Sequence, residues 1–139
     1  MKELFDKVCA DCSRNVTKTY STSFSLATRM LSKNIRQDIY NIYGFVRFAD
    51  EIVDTFHNYD KEKLLNRFID ELEYSLKNDI SLNPILNSFQ ITVKKYNIDK
   101  HLIDSFLVIK FVLLKKKMIF AYLKKCLALT VIQSSQAEI

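Results

Sequence analysis

A chain with one glycine and one proline in 139 residues has almost no means of turning tight β-hairpins. Such turns need residues that accept positive φ, and glycine is the main one. The sequence is nevertheless 48% hydrophobic and 27% charged, which excludes a disordered or collagen-like chain and leaves enough apolar side chains for one core. The expected fold class is therefore all-α. No apolar run approaches the roughly 20 residues needed to cross a bilayer. The start, Met1 to Asp6, lacks the apolar stretch of a secretory signal, so a cytoplasmic protein is expected.

Hydrophobic periodicity divides the chain into helices. Lys2 to about Thr19 repeats apolar residues at three and four: Leu4, Phe5, Val8, Cys9, Cys12 and Val16. Tyr20-Ser21-Thr22-Ser23 interrupts it, because hydroxyl side chains compete for backbone hydrogen bonds and favour caps. A short run spans Phe24 to Leu31. Ser32 or Asn34 caps the next helix, which reaches Asp54 or Phe56. Asp60 caps a helix over Lys61 to Lys77, Asn83 and Pro84 open another to about Tyr96, and Asp99 opens the last.

Charge is unevenly distributed. Residues 1–107 hold 15 basic and 15 acidic side chains. Residues 108–139 hold six lysines and one acid, Glu138, so the whole net charge of +5 falls there. Two regions follow from this break: 1–107, and a divergent basic and apolar tail, 108–139. No nucleic-acid motif accompanies the lysines, and no nucleic-acid partner is expected. Beside Ile, Leu and Phe they suit an anionic membrane surface, so peripheral contact at the inner membrane face is one reading of the tail. Lys115, Lys116 and Lys117 are consecutive, however, and do not share one helical face. Cys9 and Cys12 are one helical turn apart. They read as two reduced thiols, since no second ligand pair or preceding strand completes a zinc or redox motif.

The stretch Ile35 to Asp54 carries the functional signal. On a helical wheel Ile39, Ile42, Val46, Ala49 and Val53 form an apolar stripe, and Tyr43, Arg47, Asp50 and Asp54 form a second one. Carboxylates at i and i+4 repel each other unless a cation intervenes. Mg²⁺ takes one or two carboxylates and completes its octahedron with water and phosphate oxygens, and Arg47 one turn away is a forked phosphate donor. Glu51 lies off the stripe and is expected in solvent. The competing reading is an ordinary helix pair, Arg47 with Asp50 or Asp54.

Tyr20-Ser21-Thr22-Ser23-Phe24, followed by Tyr43-Gly44-Phe45-Val46-Arg47-Phe48-Ala49-Asp50-Glu51-Ile52-Val53-Asp54, resembles the phytoene/squalene synthase family over roughly residues 1–107. The resemblance implies the N-terminal portion of an isoprenoid-synthase-type helical bundle. It implies head-to-head condensation of two isoprenyl diphosphates, as in carotenoid and terpenoid biosynthesis, through a cyclopropyl diphosphate. Asp50 and Asp54 would then ligate Mg²⁺ (or Mn²⁺), and Arg47 and Tyr43 would act on the substrate as catalytic residues. Tyr20, Ser21, Thr22 and Ser23 would line the substrate pocket with Tyr43 and Arg47. Phe24, Phe45 and Phe48 would exclude water. NADPH is expected only for a squalene-type reaction, which no residue indicates. Bland alternatives stand beside these roles: Ser21 and Ser23 as helix caps, Tyr43 and the three phenylalanines as core.

The family carries a second Asp-x-x-x-Asp on a later helix and is about twice as long. Here the only acid after Asp104 is Glu138. The expectation is a truncated or frame-shifted product with little synthase activity of its own. The alternatives are a non-catalytic helical interaction module or a membrane-surface-binding remnant.

Overall fold

The computed structural model describes the backbone of residues 1–137 and the side chains of residues 1–117 and 119. It contains α1 (Lys2–Tyr20), α2 (Thr22–Arg29), α3 (Lys33–Asp54), α4 (Lys61–Asn78), α5 (Pro84–Lys95) and α6 (Lys100–Ala137), with no strand among the described residues. The all-α expectation holds. No helix is long and apolar enough to cross a membrane within the described residues.

Local chemistry sets most of the boundaries. The Asp60 carboxylate accepts the Lys63 amide at 3.1 Å and starts α4. The Asn83 side chain accepts the amides of Ile85 and Leu86 at 3.0 and 3.3 Å, and Pro84, with no N–H to lose, takes the first position of α5. Asp79 and Asn97, just past α4 and α5, adopt positive φ, a conformation that short polar side chains tolerate. The hydroxyl-rich bend is shorter than the periodicity suggests. Ser21 alone leaves the helical path, its hydroxyl accepts the Phe24 amide at 3.2 Å, and α2 begins at Thr22 rather than Phe24. Ser32 occupies the N-cap of α3 without a side-chain capping bond.

α3 is the central element and touches all five other helices. One side of it, through Phe45, Ala49, Ile52 and Val53, meets Leu65, Phe68 and Leu72 of α4, Leu86, Phe89 and Val93 of α5, and Ile103, Leu107 and Leu114 of α6. Phe45 stacks on Phe89 with ring centres 4.0 Å apart and on Phe68 at 5.7 Å. It is therefore core, not the wall of a cavity. α6 runs unbroken across residues 107 and 108, where the composition changes.

α1 joins by a different chemistry. Its buried residues are Cys9, Ser13 and Thr17, while Leu4 and Val8 from the expected apolar face are exposed. Small side chains let α1 approach α3 and α5 closely. The single glycine, Gly44, sits at this junction: a Cβ there would meet Ile85 Cγ2 and Ser13 Oγ, both at 3.4 Å. Polar bonds fasten the contact. Gln37 donates to the Ala10 carbonyl at 3.0 Å and to Asn41 at 2.8 Å, and Asn87 donates to Asp6 at 2.9 Å. Cys9 and Cys12 are free thiols, and burial pushes the Cys9 thiol up.

Asp38 anchors α3 to α5. It accepts Thr92 at 3.0 Å, Lys95 at 2.7 Å and Tyr96 at 2.8 Å, and Thr92 in turn accepts Asn41. Burial alone pushes this carboxyl up, but the donors from Lys95, Tyr96 and Thr92 together outweigh it and hold it below the usual range.

Asp38→Ala is expected to cost about 2 kcal/mol in denaturant unfolding, since it strands three donors. Because the folded pKa is lowered, the carboxylate's contribution is complete above about pH 4, the unfolded value, and fades as pH falls through the folded one. The stability gap between wild type and Asp38→Asn is thus expected to narrow as pH falls below about 4. At the bend, Ser21→Ala is expected to lower stability by about 1 kcal/mol through loss of the cap. Ser23→Ala is expected to change it by less than about 0.5 kcal/mol.

Candidate functional site

The bend between α1 and α2 lies along the outer stripe of α3. Arg47 places its guanidinium carbon 4.7 Å from the Tyr20 ring centre, and Tyr43 stacks on Phe24 at 4.9 Å. Residue 20 at the end of α1 and residue 24 in α2 thus face residues 47 and 43, which are one turn apart on α3. Tyr20, Tyr43 and Arg47 are brought together. Ser21 is committed to its cap, and Thr22 and Ser23 are exposed without a hydrogen bond to α3 among the described residues.

Arg47 does not pair with Asp50 or Asp54. Its Nη2 meets Glu51, which is half-buried rather than solvated. The Arg47 guanidinium holds the Glu51 carboxyl below its usual range against the opposing effect of burial, and the Thr55 hydroxyl adds a bond at 2.8 Å. Glu51 in turn pushes Arg47 up against its partial burial. Arg47 Nε is buried and has no partner. The i, i+4 spacing of 47 and 51 is the signal that identifies this pair in the sequence.

The partners of the two aspartates come from α6. Lys110 pairs with Asp50, and Lys117 pairs with Asp54. Asp50 is 24% exposed, and its Oδ1 is buried without a properly angled hydrogen bond even though Lys110 stands beside it. Asp54 is 48% exposed. The Lys117 ammonium holds the Asp54 carboxyl below the usual range against partial burial, with Lys110 and Arg47 adding their charge. Lys61 closes the end of α3 by donating to the Val53 carbonyl at 2.9 Å, and burial together with Lys117 pushes its amine down.

These lysines had a sequence signature. Ile103, Leu107, Lys110, Leu114 and Lys117 recur at four and three, the spacing of one helix face. Ile103, Leu107 and Leu114 on that face are core, so both lysines are carried toward α3. A third, Lys115, bonds Glu62 of α4 at 2.7 Å.

Beside this polar stripe is an apolar cavity of about 350 Å³. Phe48, Ile52, Phe56, Leu64 and Phe68 line it together with Arg67, Glu71 and Asn83, and Tyr20 and Glu51, the two partners of Arg47, stand on its wall; Asp50 and Asp54 do not. Phe48 is thus a lining residue, unlike Phe45. The arrangement sets a guanidinium beside a greasy cleft, with two carboxylates farther along the same helix. That combination suits an amphiphile with an anionic head.

No curated protein matches the chain. The squalene/phytoene synthase family model matches residues 17–108, about two thirds of the sequence, including the bend, the whole of α3 and the packing partners on α4 and α5. The chain belongs to the squalene/phytoene synthase family, a family of transferase-type enzymes.

Proposed function

We propose that the chain binds an isoprenyl diphosphate for head-to-head condensation of the phytoene or squalene synthase type. One observation carries the proposal: Arg47 of α3, the helix that also presents Asp50 and Asp54, lies against Tyr20 and Glu51, and both of these line a largely apolar cavity. Arg47 is the ligand for the diphosphate. Glu51 occupies one of its terminal nitrogens, and the remaining donors can serve phosphate oxygens in a forked arrangement. Phe48, Ile52, Phe56 and Phe68 would hold the prenyl chain and keep water from a developing carbocation.

The residues at Asp50 and Asp54 fit a divalent ion. Two hard carboxylates share one helix face, and the buried Asp50 Oδ1 is answered only by a cation, Lys110. No cluster of three acids, histidines or cysteines forms among the described residues, so Asp50 and Asp54 would hold Mg²⁺ or Mn²⁺ with water and diphosphate oxygens completing the shell. Bound there, the ion supplies positive charge against the departing diphosphate. The lysines of α6 already neutralise both acids, so binding must displace Lys110 and Lys117. This same neutralisation favours a second reading, a helical module without catalysis, in which the ammonium groups are permanent partners.

Titration of the full chain with a farnesyl diphosphate analogue separates the two. Prenyl-diphosphate binding is expected to require Mg²⁺ and to weaken about ten- to hundredfold in Arg47→Met or Asp50→Asn. Binding unchanged by both substitutions, or absent altogether, favours the helical module. In Mn²⁺ titrations, Lys110→Met with Lys117→Met is expected to bind the metal several-fold more tightly than wild type. Equal or weaker binding would show that the lysines do not compete for the acids.

A further inference from the structure

The neutral sum of residues 1–107 conceals a second segregation of charge. From Cys12 to Gln37 the chain holds Arg14, Lys18, Arg29, Lys33 and Arg36 and no acid at all. These residues lie on three helices, yet all five line one surface cavity of about 380 Å³. None makes an ion pair among the described residues; Arg36 Nε donates to the Leu31 carbonyl at 2.9 Å. The acids at the ends of the run do not compensate. Asp38 is turned toward Lys95 and Tyr96, and Asp11 pairs with none of the five. Five converging cations repel one another unless an anion lies against them.

Apolar side chains project from the same corner. Met30, between α2 and α3, is 89% exposed and Leu26 is 55% exposed, with Leu31 and Ile35 exposed beside them. Arg29 and Lys33 flank Met30 and Leu31 in the chain.

We propose that this corner docks on an anionic phospholipid surface, the cations meeting the headgroups and Leu26, Met30 and Leu31 entering the boundary beneath them. Charge complementarity selects the partner, and the apolar tip selects a bilayer over a dissolved anion, which has no use for exposed Met30 and Leu26. A single-stranded nucleic acid would call for aromatic platforms, and Tyr40, the only aromatic lining the cavity, is buried. The tail is a weaker candidate for the same role, because Lys110, Lys115 and Lys117 are engaged by Asp50, Glu62 and Asp54. The proposal is independent of prenyl transfer.

Flotation of the full chain with vesicles tests it. Binding is expected to phosphatidylcholine vesicles that contain phosphatidylglycerol, and not to phosphatidylcholine alone. Each basic side chain at such a surface contributes about fivefold in affinity, so Arg29→Glu with Lys33→Glu is expected to lose at least about tenfold. Arg14→Glu with Lys18→Glu, on another helix, is expected to lose a similar factor, guarding against a folding artefact in either variant. Leu26→Ser with Met30→Ser is expected to weaken binding several-fold, and Lys124→Glu with Lys125→Glu to leave it unchanged. No binding to the anionic vesicles overturns the proposal. So does loss confined to the Lys124 and Lys125 variant, displacement by micromolar inorganic pyrophosphate, or tighter binding to an RNA oligonucleotide than to vesicles.

Discussion

Two carboxylates one turn apart on a packed helix are tolerable only with positive charge beside them. In this chain that requirement organises the region around α3. Asp50 and Asp54 are answered by Lys110 and Lys117, and Glu51 by Arg47. The pairing with α6 depends on hydrophobic packing as well as charge. Leu107 and Leu114 are buried between and beside the two lysines in sequence, and they hold this face of α6 against α3. Charge and packing therefore act on the same contact. A divalent ion at the aspartates and the lysines of α6 are alternative answers to one electrostatic demand.

The family assignment and the electrostatics meet at the edge of the matched region. The match ends at residue 108, and Lys110 and Lys117 lie just beyond it. The bend, the Tyr43–Arg47 face and the acid pair fall inside the match, while their counterions fall outside. Arg47 links the two parts: it stacks on Tyr20, pairs with Glu51, and adds its charge to the environment of Asp54. Its two partners also border the apolar cavity, so the guanidinium and the apolar cleft adjoin.

Features set by local chemistry were legible in the sequence. Asp60, Asn83 and Pro84 mark helix starts because a cap or a missing N–H acts within a few residues. The stripe of Tyr43, Arg47, Asp50 and Asp54 follows from the helical repeat alone. Features set by neighbours were not legible in that way. α1 buries Cys9, Ser13 and Thr17 rather than Leu4 and Val8 because close approach to Gly44 demands small side chains. The Arg47–Glu51 pair is an exception: its i, i+4 spacing was in the sequence, but the wheel stripe drew attention to Asp50 and Asp54 instead. Lys110 and Lys117 look like part of a solvated basic tail until the register of Ile103, Leu107 and Leu114 is followed through them. The balanced charge of the first 107 residues likewise hid five cations gathered in one corner.

Asp50 and Asp54 are proposed as a divalent-cation site facing α6. Amide NMR spectra of the isotope-labelled full chain, recorded as Mn²⁺ is added, test it most directly. The account predicts paramagnetic broadening centred on residues 50–54 of α3 and on residues 110–117 of α6. Broadening centred on other acids, such as Glu71 and Glu73 of α4, or no localised broadening at all, would contradict it.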